Sequence, residues 1–177
     1  KKITRYDKAS GSISQAGVAL GTGSNIPNSD DILSVLFRQS GVVMTDRGGR
    51  AVFDYAPGGS RQREETPAMS VVNFYTDFAN PTRDTYSWSE NMPNALDAFV
   101  NGQVGFFFGF SYHTGVIKAR APQLNFRVVP LLQLDSDHPV NTANYSVSAV
   151  LAKSKRQPQA WALINYLAYS DATKAYL

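Results

Sequence analysis

Cysteine is absent from this 177-residue chain, and histidine occurs only at His113 and His138. The missing thiols exclude disulfides and thiolate metal sites. We find neither acids nor cysteines placed to join the two histidines as ligands. The sequence therefore predicts no metal site and no cofactor.

Long apolar runs and strong charge are also missing. No apolar run approaches the roughly 18–20 residues that a helix needs to cross a membrane. The net charge is only +3, and the densest basic group, residues 153–156, precedes Pro158 in a turn-like stretch. Nucleic-acid binding needs basic residues gathered on one face with aromatic side chains beside them. We therefore interpret this group as a solvated turn and expect no nucleic-acid partner.

The residues that catalysis requires are scarce. A glycosidase needs two carboxylates about 5–10 Å apart across the scissile bond, and we place the acids of this chain in turns or on helix surfaces. A serine hydrolase of the common type carries its nucleophile in a G-x-S-x-G turn, which the sequence does not contain. We predict that the protein is not an enzyme.

Hydrophobic residues make up 43% of the chain, which is enough for a real core. The pattern alternates between strands and helices and so predicts an α/β arrangement. We expect a strand over residues 13–20 and a heavily buried helix over residues 31–41 with Ser29 as its N-cap. A second helix begins at Thr66 and Pro67. Its predicted buried side chains are Val71, Val72, Phe74, Tyr75 and Phe78.

Residues 95–122 are the most informative stretch. They predict a short helix stopped by Gly102, then an apolar strand over residues 104–110 that is covered on both faces. A turn with Ser111, Tyr112 and His113 follows. Because α/β sheets bind ligands at the carboxyl ends of their strands, this turn is a candidate ligand site.

The order of these segments resembles that of a known family. The string ALDAFVNGQVGFFFGFSYHTGVIKARAP, the GVALGTGSN segment before the helix at 31–41, and the SAVLAKSK segment before residues 160–167 occur in sequence. Together they resemble the extracellular solute-binding proteins of ABC importers, in particular the carbohydrate-binding group.

The resemblance implies a periplasmic-binding-protein-like lobe of type II, with a mixed sheet flanked by helices. It places most of the second lobe in residues 1–129 and assigns residues 130–177 to a crossover and a returning segment of the first lobe. The chain would then be an internal fragment that lacks most of the first lobe.

The resemblance also implies a function. The protein would be an extracytoplasmic component of an ABC transport system that captures a sugar or oligosaccharide by hinge closure and presents it to a membrane permease. It would be periplasmic, or anchored at the cell surface through a segment outside this chain. The alternative is a protein-interaction or sensor module that uses the same lobe.

Several side chains would contact the solute if the resemblance holds. Tyr112 would stack on the sugar, although a half-buried tyrosine closing a strand is the alternative. For Trp88, packing in the core or at the cleft rim is the alternative to ligand stacking, and Trp161 is expected to pack. The complete predicted set is Ser111, Tyr112, His113, Thr22, Ser24, Asn25, Asn144, Tyr145 and Trp88.

Overall fold

The computed structural model describes residues 3–55, 66–145 and 147–169. The chain divides into two compact units, residues 1–141 and residues 142–177. The elements of the first unit are β1 (Arg5–Tyr6), β2 (Ile13–Val18), α1 (Ser29–Gln39), α2 (Pro67–Asp77), α3 (Ala95–Val100), β3 (Val104–Phe106) and α4 (His113–Arg120). The second unit contains α5 (Gln157–Tyr169). The predicted division after residue 129 into parts of two lobes stays a prediction.

The sheet of the first unit is small and mixed. Its strand order is β1-β2-β3, with β1 antiparallel to β2 and β2 parallel to β3. The pairing of Ala16 with Val104 and of Val18 with Phe106 sets the parallel register. The α/β class and the mixed sheet with helices are therefore confirmed.

Trp88 fills a core that is otherwise built from small and aliphatic residues. Its side chain is 0% exposed. The remaining members of the core cluster are Ala16, Ala19, Ile26, Ala95, Ala98 and Val104. Alanines from β2 and α3 leave the space that the indole occupies, so the large residue comes from a loop rather than from the sheet.

The strand predicted over residues 104–110 is wrong in length and in burial. β3 ends at Phe106, whose side chain is 54% exposed. Among the described strands β3 pairs only with β2, so nothing hydrogen-bonds to its outer edge there. An apolar run cannot by itself show whether a second layer exists to cover it.

Local signals at helix ends were more reliable. The Thr66 hydroxyl accepts a hydrogen bond from the Met69 amide at 3.3 Å, with Pro67 in the first turn, as predicted. Gly102 follows α3 with φ of +72°, a conformation that favours glycine. The N-cap of α1, however, is Asn28 rather than Ser29. The Ser29 hydroxyl instead donates to the Gly23 carbonyl at 3.4 Å.

The predicted burial of α1 and α2 was too extensive. In α2 the buried residues are Ala68, Val71 and Tyr75, whose spacings of three and four form one stripe. Val72 and Phe74 lie off that stripe and are 40% and 48% exposed. In α1 only Val35 is buried. Each of these helices therefore buries only a narrow stripe of its surface.

The second unit contains an exposed helix. α5 has no buried residue, and Trp161, which was expected to pack, is 49% exposed. Among the described helices none combines the length and the hydrophobicity needed to cross a bilayer.

Candidate functional site

Two loops leave the same edge of the sheet. Because β2 and β3 are parallel neighbours, the segment after Val18 and the segment after Phe106 both begin at their carboxyl ends. The Ala19 amide still donates to the Phe106 carbonyl, at 3.5 Å. This edge is where open α/β sheets bind ligands, and the predicted residues 22–25 and 111–113 follow it on the two segments.

In the first loop, residues 22–25, most of the polar side chains form hydrogen bonds within the protein. The Asn25 side-chain oxygen accepts from the Thr22 hydroxyl and from Trp88 Nε1, the latter at 3.0 Å. The Asn25 side-chain nitrogen donates to the carbonyls of Ser89 and Met92, both at 2.9 Å. Thr22 and Asn25 therefore fix the loop to residues 88–92. Ser24 is the predicted contact in this loop that is exposed.

Trp88 offers no face to a ligand in this structure. Its side chain is completely enclosed and its indole N–H is bonded to Asn25. The neighbouring Ser87 hydroxyl donates to the Val18 carbonyl at 2.8 Å, which holds this segment against β2. Of the two predicted roles for Trp88, packing in the core and ligand stacking, this placement fits packing.

Tyr75 of α2 also holds the first loop in place. Its side chain is 6% exposed, and its hydroxyl donates to the Thr22 carbonyl at 2.7 Å. Burial raises the pKa of this phenol above its ordinary value of 10.0. Gly21 lets the segment just after α2 approach, since a Cβ there would lie 2.6 Å from the Ala79 nitrogen.

The second loop is arranged differently. Tyr112 is 63% exposed, and its ring lies 4.1 Å from the His113 ring, centroid to centroid, at 28°. The Phe110 ring is roughly parallel to Tyr112 at 6.1 Å. Ser111 is exposed beside them. The Tyr112 ring thus lies against another ring, while the residue as a whole stays largely exposed.

His113 is not the exposed turn residue that its position suggested. It begins α4 and is 5% exposed. Its Nδ1 accepts a hydrogen bond from the Phe110 amide at 3.0 Å, which closes the turn. Gly109 allows this arrangement, because a Cβ there would lie 2.6 Å from the Phe107 ring and 2.9 Å from Nδ1.

A groove of about 620 Å³ borders this turn, and the sequence did not reveal it. It is lined by residues 104–110 and 124–132, together with Phe99, His113 and Ile117 among others. The whole groove belongs to the first unit. The apolar run over residues 104–110 predicts a covered strand, although Gly105 and Gly109 within that run are a signal of irregular backbone.

The remaining predicted contacts lie in the second unit. Asn144 is exposed, and Tyr145 is 75% exposed. Neither takes part in a hydrogen bond that would occupy its side chain within the described parts of the chain. Their predicted contact with the solute stays a prediction.

The second histidine has an acidic neighbour, contrary to expectation. His138 Nδ1 lies 2.8 Å from Asp135 Oδ2, and this contact lowers the pKa of the Asp135 carboxyl. Both groups are exposed, so the pair is a surface interaction. Over residues 3–55, 66–145 and 147–169, no three histidine, cysteine or acidic side chains gather as a possible metal site.

These features describe a mixed α/β fold with two loops at one edge of its sheet. The sequence pattern of one family, bacterial extracellular solute-binding protein, matches residues 2–177. The chain belongs to this family. Searches of curated proteins and of solved structures found no match.

Family membership gives the broad function. The protein is the extracellular solute-binding component of a bacterial ABC transport system, and the family binds solutes rather than transforming them. The resemblance read from the ordered segments is confirmed at this level.

Proposed function

We propose that the solute is a carbohydrate, a sugar or an oligosaccharide, and that Tyr112 stacks on it. The exposed Tyr112 ring backed by His113 is the observation that carries this proposal. The C–H face of a sugar ring suits the negative face of an aromatic ring. Since His113 is held by the Phe110 amide, the platform is in place before the ligand arrives.

Polar groups beside the platform would bind the sugar hydroxyls. Ser111 adjoins Tyr112, and Ser24 is exposed on the loop from the neighbouring strand. Both can donate and accept a hydrogen bond. Thr22, Asn25 and His113 act here as supports, because their side chains already hold the two loops in shape.

Transport requires a step after binding. We propose that the solute is captured between two lobes, that residues 1–129 form most of one lobe, and that Asn144 and Tyr145 add contacts on closure. Ligand contacts that exist only in the closed form would favour that form. The closed complex then delivers the sugar to the membrane permease.

The test begins with a panel of mono- and oligosaccharides and a thermal melt of the protein. Only ligands that bind the native state raise the melting temperature. Isothermal titration of the sugar that raises it gives the affinity of the wild type and of Tyr112→Ala. Loss of a stacking residue is expected to weaken binding by about 1–3 kcal/mol, or roughly 5- to 150-fold.

Two further variants make the result specific. Tyr112→Trp keeps a stacking face and should retain most of the affinity. Tyr166→Ala removes a tyrosine of similar exposure, 61%, from α5 and should leave the affinity unchanged. Equal affinity of Tyr112→Ala and wild type would contradict the stacking role. If no sugar raised the melting temperature while the protein self-associated, the interaction or sensor alternative would be favoured.

A further inference from the structure

The groove beside β3 has the size and the lining of a small-molecule site. Its volume of about 620 Å³ falls within the roughly 300–1,000 Å³ of typical ligand pockets. Phe106, Phe107, Val128 and Val129 give it apolar walls. Phe106, Val128 and Val129 are 54%, 67% and 57% exposed, so this apolar surface faces solvent.

A buried hydrogen-bond donor lines the same groove. Because His113 Nδ1 accepts from the Phe110 amide, the neutral imidazole carries its proton on Nε2. His113 is 95% buried, since its exposed fraction is 5%. Within the described parts of the chain, no acceptor pairs with Nε2. A buried N–H without a partner is unfavourable, so an acceptor atom that reached it from the groove would relieve that cost.

Arginine also lines the groove. Arg127 is among its lining residues and makes no ion pair within residues 3–55, 66–145 and 147–169. Arg120, at the end of α4, is by contrast paired with Asp97 at 2.7 Å. A guanidinium and an N–H donor over apolar walls match a carboxylate attached to a hydrocarbon.

We propose that this groove binds a small apolar carboxylate. Its hydrocarbon part would lie against Phe106, Phe107 and Val129, and its carboxylate would accept hydrogen bonds from His113 Nε2 and Arg127. The site is distinct from the exposed Tyr112 face, because Tyr112 does not line the groove.

The probe is 4-phenylbutyrate, compared with 4-phenyl-1-butanol, which lacks the charge. Titration of the wild type should show saturable binding, at least fivefold tighter for the carboxylate. Arg127→Gln should remove that preference, whereas Arg47→Gln, at an exposed arginine outside the groove, should keep it. Equal preference in the two variants would overturn the role of Arg127.

A second pair of variants tests the location. Val128→Asp places a charge in the groove and should weaken binding of 4-phenylbutyrate at least tenfold. Val43→Asp is the matched control, because Val43 is similarly exposed at 63% and lies outside the groove. Both variants are at exposed positions, so both should fold. The same loss in both, or in neither, would contradict this site.

The histidines give a direct readout. With only His113 and His138 in the chain, labelled imidazoles give two sets of NMR signals. Addition of 4-phenylbutyrate should shift the Nε2 signal of His113 and leave His138 unchanged. No saturable binding at millimolar concentration, or an unmoved His113, would overturn the proposal. Sugar binding that depends on Tyr112 would be unaffected by that failure, so the two proposals are separable.

Discussion

The loop after β2 and the turn after β3 start from the same edge of the sheet and yet differ in what they expose. In the first, Thr22 is 7% exposed and Asn25 satisfies four hydrogen bonds inside the protein. In the second, Tyr112 is 63% exposed on a base formed by His113. Position at the carboxyl edge of a sheet therefore does not identify a ligand contact. The hydrogen bonds that a side chain has already made decide whether it is free to bind.

The largest effect on stability should come from Trp88→Ala, which removes the anchor of the first loop. The indole is fully enclosed and its N–H is bonded. A large-to-small change of this kind costs about 3–5 kcal/mol. Urea unfolding followed by circular dichroism measures it. A loss under 1 kcal/mol would mean that the enclosure of the indole is not important for folding.

Asn25→Ala should have the next largest effect, because it leaves several partners unsatisfied. The expected loss is about 1–3 kcal/mol. Asn25→Asp is informative beside it: the carboxylate keeps the bonds from Thr22 and Trp88 and loses the donations to Ser89 and Met92. The exposed Asn91→Ala serves as the control and should be neutral. If Asn25→Ala matched that control in its urea midpoint, the first loop would not be held as described.

Tyr75→Phe should cost about 1 kcal/mol at pH 7, since the Thr22 carbonyl loses its donor. The pKa of Tyr75 is raised by burial, so below pH 10 the phenol is neutral in both folded and unfolded chains. Above pH 10 the unfolded chain ionises first, and the wild type loses stability as the pH rises towards the folded pKa.

The difference between wild type and Tyr75→Phe should therefore narrow above pH 10. Urea midpoints at pH 7, 9, 10 and 11 measure it. A difference that stayed constant across this range would show that the folded environment leaves the phenol unshifted.

Tyr112→Ala should have the smallest effect on stability, within about 0.5 kcal/mol, as is usual for an exposed position. The same change is the one expected to weaken sugar binding. The two loops should therefore differ in role: substitutions in the first loop should lower stability, and substitution of Tyr112 in the second should lower sugar affinity. A destabilisation as large as that of Asn25→Ala would place Tyr112 among the supports of its turn.

Short-range features were predictable because their causes lie within a few residues. The Thr66 cap reaches the Met69 amide three residues on, and Gly102 ends α3 through its own φ. The turn predicted at residues 111–113 is right in part: Ser111 and Tyr112 form a turn, but His113 begins α4 and β3 already ends at Phe106. Its exposed aromatic was anticipated, and the burial of the adjacent His113 was not.

The failures came from interactions that are distant along the chain. Asn25 and Trp88 are 63 residues apart, and Tyr75 reaches Thr22 across 53 residues. The apolar run predicts that Phe106 is buried, and this is wrong because the same run can occur with or without another layer covering it. The groove arises where residues 104–110 meet residues 124–132, and neither segment shows that meeting alone.

The sequence by itself determined the family, the α/β class, the start of α2, the end of α3 and the absence of disulfides. These follow from local conformational preference, from the order of segments and from composition. Only the tertiary structure decided which polar side chains form hydrogen bonds within the protein, because such a bond needs both of its partners in place. In the tertiary structure Asn25 and Trp88 hydrogen-bond to each other within the protein, and Tyr112 stays exposed. Residues 104–110, for which a covered strand was predicted, form one wall of a groove.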